Sequence, residues 1–175
     1  MLTTEAAKTL ISSFVCSRFD YCKTVFANLP ASTIDRLDDV LQAAARQISG
    51  CRKYDHITPV MREELHCLPI RQRIEYKLCL TVFNALNRIS PGYIAAMCVP
   101  VSPLALRSRL RSADMGKLSF IRTNTIFGKR AFARAGSTAW NNIPTAVKLS
   151  STVCSFKSAL KTYLFRVGYS ISSQH

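Results

Sequence analysis

The residue types in this chain that could carry chemistry fall into three groups. Asp38 and Asp39 are adjacent carboxylates, a pairing that can hold Mg²⁺ for nucleotidyl transfer. They stand in Arg36-Leu37-Asp38-Asp39-Val40-Leu41, in register with a helix whose Leu37 and Leu41 point inward. Neighbouring helical positions diverge by about 100°, so the pair reads as a solvated face near a helix start and not as a catalytic site. Cysteine and histidine form the second group: Cys16 and Cys22, then Cys51, His56, His66 and Cys67. No C-x-x-C pair exists to preorganise two thiolates for zinc. Cys16 and Cys22 also lie on or beside an apolar helix stripe, where cysteine serves as a small hydrophobe. His56, His66 and His175 show no partner pattern; a histidine beside Leu65 and Leu68 is ordinarily packed or hydrogen-bonded. The chain has no G-x-S-x-G elbow, glycine-rich phosphate loop or H-E-x-x-H pair. Neither a metal, a cofactor nor a catalytic residue is expected.

The third group is basic. Arg107, Arg109, Arg111, Lys117, Arg122, Lys129, Arg130 and Arg134 run through 107–134 against Asp114 alone. In a helix, Lys129, Arg130 and Arg134 cluster on one face with Trp140 at its edge, while Phe132, Ala135, Ala139 and Ile143 turn toward the core. Cations beside an aromatic suit a phosphate backbone with an occasional stacked base. Nothing in the spacing specifies a base code, so binding is expected to be blind to sequence. The plain alternative is a solvated face with Trp140 in the core, which for the tryptophan alone is the more ordinary arrangement.

Composition supports the basic group. The 175 residues hold 24 Lys and Arg against 10 Asp and Glu, a net charge of +14. Residues 1–75 contain 10 bases and 9 acids, whereas 76–175 contain 14 bases and a single acid. Folding needs no such asymmetry, and a polyanion partner would use it; the bland reading is solubility. At 48% hydrophobic residues the chain is too apolar for a disordered tail. Its longest nearly apolar stretches, 78–86 and 93–101, fall short of the roughly 18 residues a membrane span needs, so no membrane partner is expected. The cysteines number 7, an odd count, and the start Met1-Leu2-Thr3-Thr4-Glu5 lacks a basic region followed by an apolar core. A reducing cytoplasmic or nuclear setting is expected, not secretion.

The elements that must position these residues are helical. Ile11, Val15, Phe19, Cys22, Phe26 and Leu29 make one helix face over 5–29, and Pro30 stops it. A second helix is expected from Ser32 as N-cap, with Asp35 completing a capping box; its stripe is Ile34, Leu37, Leu41, Ala44 and Ile48, ended by Gly50. Ala43-Ala44-Ala45 suggests a close helix crossing. Pro59 opens a short helix through Leu65, and Pro69 is placed at the first position of the longest helix, 70–88, apolar on most faces and central. Pro91 starts a short helix to about Met97. The segment 104–124 is extended and basic, with one short strand at 118–122. A helix over 127–140 follows, then one near 153–165 with Phe156, Leu160 and Leu164 at steps of four, and a frayed tail from Gly168. The expected fold is mainly α: an irregular bundle of about six or seven helices around 70–88. Its regions are 1–99 (a helical bundle), 100–126 (basic, irregular), 127–166 (a C-terminal helical pair) and 167–175 (tail), together one compact domain.

Strung together, these residues resemble the region just beyond the polymerase core in reverse transcriptases of LINE-type, non-LTR retrotransposons of the jockey kind. The resemblance rests on Ser17-Arg18-Phe19-Asp20-Tyr21-Cys22, Gln42-Ala43-Ala44-Ala45-Arg46 and Asp55-His56-Ile57-Thr58-Pro59-Val60. It continues through Leu65-His66-Cys67-Leu68-Pro69-Ile70 and Arg73-Ile74-Glu75-Tyr76-Lys77, then Phe127-Gly128 with Arg130-Ala131-Phe132. Trp140-Asn141-Asn142-Ile143-Pro144 and Phe156-Lys157 with Leu160-Lys161-Thr162-Tyr163-Leu164-Phe165 close it, in the same order across roughly 5–166. The resemblance implies the thumb-adjacent C-terminal part of an RNA-directed DNA polymerase, whose catalytic aspartate-pair motif would fall before Met1. No catalytic residue carries over, because Asp38-Asp39 follows Arg36-Leu37 and not the polymerase turn. The implied partners are RNA or an RNA/DNA backbone and the polymerase core of the parent protein, with no small-molecule substrate. Cys67 stands where such proteins often have tryptophan and Gln47 where an apolar residue is usual. The alternative is therefore a truncated relic or a helical protein-interaction scaffold without a nucleic-acid role.

Overall fold

The computed structural model describes residues 6, 9, 13, 17–21, 23–101, 116–119 and 122–171. Within them the chain is mainly helical, an irregular bundle built from α1 (Ser17–Tyr21), a 3₁₀ turn (Lys23–Phe26), α2 (Ala31–Ser49), a π turn (Val60–Glu64), α3 (Ile70–Leu86), α4 (Gly92–Met97), α5 (Ile126–Arg130), α6 (Phe132–Asn142), α7 (Thr145–Lys148) and α8 (Val153–Ile171). Much of the helix expected over 5–29 lies outside the described residues, Cys16 and Cys22 included.

Prolines set the starts of α2, α3, α4 and α7. Pro30 is the N-cap of α2, with its carbonyl accepting from Thr33 and Ile34 N–H at 3.0 and 3.3 Å. Ser32 therefore lies inside the first turn and caps nothing, contrary to expectation. The expected stripe holds: Ile34, Leu41 and Ala45 are buried, Leu37, Ala44 and Ile48 half-buried, and Gly50 ends the helix in the left-handed region at φ 68°. Ala43, by contrast, is exposed, so the alanine run presents only part of itself to a neighbour.

Pro69 is likewise an N-cap and not the first helical residue, so α3 begins with Ile70 and has 17 residues, fewer than the 19 of α2 or α8. The reason is tertiary: the Ile70 N–H donates to Asp38 Oδ1 of α2 at 2.9 Å, a cap supplied from another helix. α3 is nonetheless central. The 3₁₀ turn, α2, α4, α6 and α8 all pack on it, over buried Ile74, Leu78, Cys79, Val82, Phe83 and Ala85. α4 starts after Pro91 as expected.

At the heart of the bundle Phe83 stacks on Phe156 at 4.1 Å, with Trp140 tilted against both at 6.5 and 5.9 Å. Phe156, Leu160 and Leu164 of α8 are completely buried, which fixes that helix along α3. The expected fraying from Gly168 is corrected: α8 runs on to Ile171. Gly168 sits so close to Gln72 that an added Cβ would meet its side chain at 3.1 Å, and the Tyr169 hydroxyl donates to the Cys67 carbonyl. Among the described residues no helix is long and apolar enough to cross a membrane.

Two further expectations change. Of the strand expected at 118–122, residues 120 and 121 lie outside the described residues; Leu118 forms an isolated antiparallel bridge with Pro100, flanked by Val101 N–H to Lys117 O at 3.0 Å and Ser119 N–H to Val99 O at 2.8 Å. The helix over 127–140 is two helices, broken at Ala131 (φ −56°, ψ 138°). Thr125 Oγ1 caps Gly128 N–H at 3.0 Å, and Gly128 lies so tightly on Thr123 that a Cβ there would come within 2.9 Å. α5 is thereby pinned to its own leader. The Ala131 carbonyl then opens a new helix, accepting from Arg134 and Ala135 N–H.

Candidate nucleic-acid interface

Of the basic residues singled out by sequence, Arg107, Arg109 and Arg111 lie outside the described residues. The others form two groups, one at each end of α6. At its start, Lys129 is exposed while Arg130 and Arg134 are half-buried. Here α5 is tied to the N-terminal turn: Arg130 Nη2 donates to the Val25 carbonyl at 2.9 Å, and Asn28 Nδ2 donates to the Lys129 carbonyl at 2.6 Å. Arg130 thus spends one nitrogen on the scaffold. Arg122, just before Thr123, is exposed.

At the far end of α6 the ligating work falls to Asn141. Its Oδ1 accepts from Leu118 N–H at 2.8 Å and its Nδ2 donates to the Leu118 carbonyl at 2.9 Å. The side-chain amide replaces a missing neighbouring strand and fixes half-buried Lys117 beside α6. Trp140 Nε1 donates to the Gly116 carbonyl at 2.9 Å from within the core. Only 3% exposed, the indole is closed to a nucleobase, so its proposed stacking role is corrected: helix register turns it onto Phe83 and Phe156. Lys148, which sequence reasoning missed, lies 6.0 Å from the Trp140 ring centroid. Burial lowers its pKa from 10.5, and the nearby Lys117 charge lowers it further, opposed by Cys79. The cue was weak, because α7 follows a break at Pro144 that spacing alone cannot orient. With 1.5 Å of rise per residue, the two ends of α6 stand about 15 Å apart.

From Lys117 to the end of the chain there is no acidic residue. The ion pairs Arg71–Asp35 (3.6 Å) and Arg73–Asp20 (3.4 Å) are made elsewhere. Asp35, Asp38 and Asp39 line a groove of about 330 Å³ with Gln42, Thr58, Met61, Pro69 and Tyr169. Asp38 is not on a solvated face as expected: burial raises its carboxyl above 3.8, against the pull of the Ile70 N–H and Arg71. Asp39 is exposed. A cleft of about 210 Å³ between the N-terminal turn, α3 and α6 contains Glu75, whose carboxyl burial also raises. Among the described residues no three His, Cys, Asp or Glu side chains are grouped to hold a metal ion. His66 is at φ 45°, its Nδ1 2.9 Å from the Arg62 carbonyl and its ring edge-on to Phe165.

No family model, curated protein or solved structure matches the chain.

Proposed function

We propose that this chain is a non-catalytic nucleic-acid-binding module, corresponding to the C-terminal portion of a LINE-type reverse transcriptase downstream of its polymerase core. It holds template RNA or primer–template backbone electrostatically and leaves the chemistry to the core. The observation that carries this reading is the charge division: a stretch without acids from Lys117 onward that presents Arg122 and Lys129 to solvent near the start of α6 and places Lys117 and Lys148 at its far end, about 15 Å along the helix axis. That separation is about four phosphate steps on one duplex strand. With about four such cations engaged, log affinity for single-stranded RNA falls with log salt at a slope near −3. A flat slope rejects the reading, and nucleotide incorporation by the isolated chain would reject its non-catalytic part.

A protein partner is favoured by a different observation. Tyr93 and Met97, four apart on α4, are exposed, as is Ile89 in the turn before it. The polymerase core of a parent protein, or another protein in a scaffold role, would cover such apolar groups. Self-association in light scattering without any affinity for RNA favours this second reading.

A further inference from the structure

The aromatic that sequence placed beside the cations is buried, and another takes its position at the surface. Phe127 is 80% exposed and Ile126 73% exposed, both on α5. Gly128 faces inward onto Thr123, which turns Ile126, nearly opposite it on the helix, toward solvent. Residues three apart share a helix face, so Ile126 is paired with Lys129 and Phe127 with Arg130. The Arg130 guanidinium, held on the Val25 carbonyl, extends the Phe127 face to Val25, which is also exposed. The segment carries no acid, and the acid beside the N-terminal turn, Asp20, faces Arg73 at 3.4 Å.

Large apolar side chains left in water contribute nothing to folding, and these are interleaved with cations. A protein groove would receive the apolar groups but leave Lys129 and Arg122 without complementary charge. An unpaired nucleobase with its flanking phosphates satisfies both. We propose that α5 is a stacking platform for single-stranded nucleic acid: one unpaired base lies on the Phe127 ring, the phosphate beside it meets Arg130 on the same helix face, and phosphates further along meet Lys129, across Ile126, and Arg122. This deepens the nucleic-acid reading above and rests on it. Stacking tolerates any base, because each has a π-face. It requires unpaired bases, so it separates single strands from duplexes, which electrostatics alone does not.

The test uses the full chain, an oligouridylate and an RNA duplex of equal length. Phe127→Ala removes a side chain that the core does not use, so folding is retained. Its affinity for oligouridylate falls about tenfold or more, while duplex affinity stays within about twofold and the salt slope is unchanged. Phe127→Trp binds as the parent does, and its added surface indole is quenched by oligouridylate, whereas buried Trp140 is not. Unchanged oligouridylate affinity in Phe127→Ala, with a steep salt slope retained, overturns the platform and leaves the general binding function standing. Absence of binding to both nucleic acids overturns the two together. A concentration-dependent dimer that Phe127→Ala abolishes, with oligouridylate affinity unaltered, overturns the platform in favour of a second copy of this chain.

Discussion

Asn141→Ala tests how the fold holds the basic segment. Leu118 is 2% exposed, yet its N–H and carbonyl point away from the Pro100 bridge and end on the two atoms of the Asn141 amide at 2.8 and 2.9 Å. Removing the amide leaves a buried donor and a buried acceptor, each worth about 1–3 kcal/mol when unsatisfied. Asn141 is itself half-buried, so water recovers part of this, and a net loss of about 2 kcal/mol follows. For a chain of this size that lowers the melting temperature by about 4–8 °C. Asn141→Asp sharpens the test. One carboxylate oxygen still accepts from the Leu118 N–H, but the other faces the Leu118 carbonyl oxygen, lone pair against lone pair. The folded state therefore favours the protonated acid, whose O–H can donate to that carbonyl, and raises its pKa. The sign follows: Asn141→Asp is most stable at acid pH relative to parent and loses ground as pH rises through the carboxylate range. Urea melts of the three proteins across pH supply the measurement. A loss below about 0.5 kcal/mol for Asn141→Ala, within the range of ordinary surface changes, or an Asn141→Asp protein equal to parent at neutral pH, refutes the clamp.

The remaining predictions concern the interior. Asp38→Asn keeps an acceptor for the Ile70 N–H without the buried charge; because burial raises the Asp38 carboxyl, its gain over parent grows as pH rises from acid to neutral, whereas Asp38→Ala costs about 1 kcal/mol as a lost cap, both read from urea midpoints. Tyr169→Phe costs about 1 kcal/mol at neutral pH by freeing the Cys67 carbonyl. Burial pushes the Tyr169 hydroxyl from 10.0 up to about 12, so parent stability falls as pH rises through that interval; in alkaline melts the advantage over Tyr169→Phe vanishes there. Phe156→Ala, at a fully buried ring stacked on Phe83, costs about 3–5 kcal/mol in denaturant unfolding.

What sequence could reveal divides by range. The steps of three and four at Ile34, Leu41 and Ala45, or at Phe156, Leu160 and Leu164, are local, and each marks a face that the bundle buries. The capping of α3 is not local: Asp38 is 32 positions from Ile70, and no window of sequence shows that they meet. The same holds for the end of α8, where Gly168 and Tyr169 look like a fraying tail until Gln72 and Cys67 are placed beside them. For the candidate site, the charge asymmetry was plain in the residues, but their accessibility was not. Whether Arg130 or Lys129 meets solvent depends on Val25 and Asn28, about a hundred residues earlier. Lys148 reaches the Trp140 ring only because the chain turns at Pro144.

The break at Ala131 decides what the basic surface can do. The buried positions of α6 include Ala135, Gly136, Ala139 and Trp140, and Gly136 lies so near α3 that a Cβ would meet Val82 at 3.2 Å. A helix nearly repeats its facing every seven residues, because seven steps of about 100° fall only about 20° short of two turns. Were α5 continuous with α6, Gly128 and Lys129 would fall beneath Ala135 and Gly136, and the Lys129 ammonium would be driven toward the core against a desolvation cost of several kcal/mol. Ending α5 at Arg130 and restarting at Phe132 through an extended Ala131 removes that conflict. The change of direction leaves Lys129 in solvent, next to exposed Phe127 and Ile126. The exposed cation therefore has its cause in the break, and any substitution that straightens 126–142 into a single helix must withdraw Lys129 from the surface, whereas Phe127, seven residues before half-buried Arg134, keeps an outer facing.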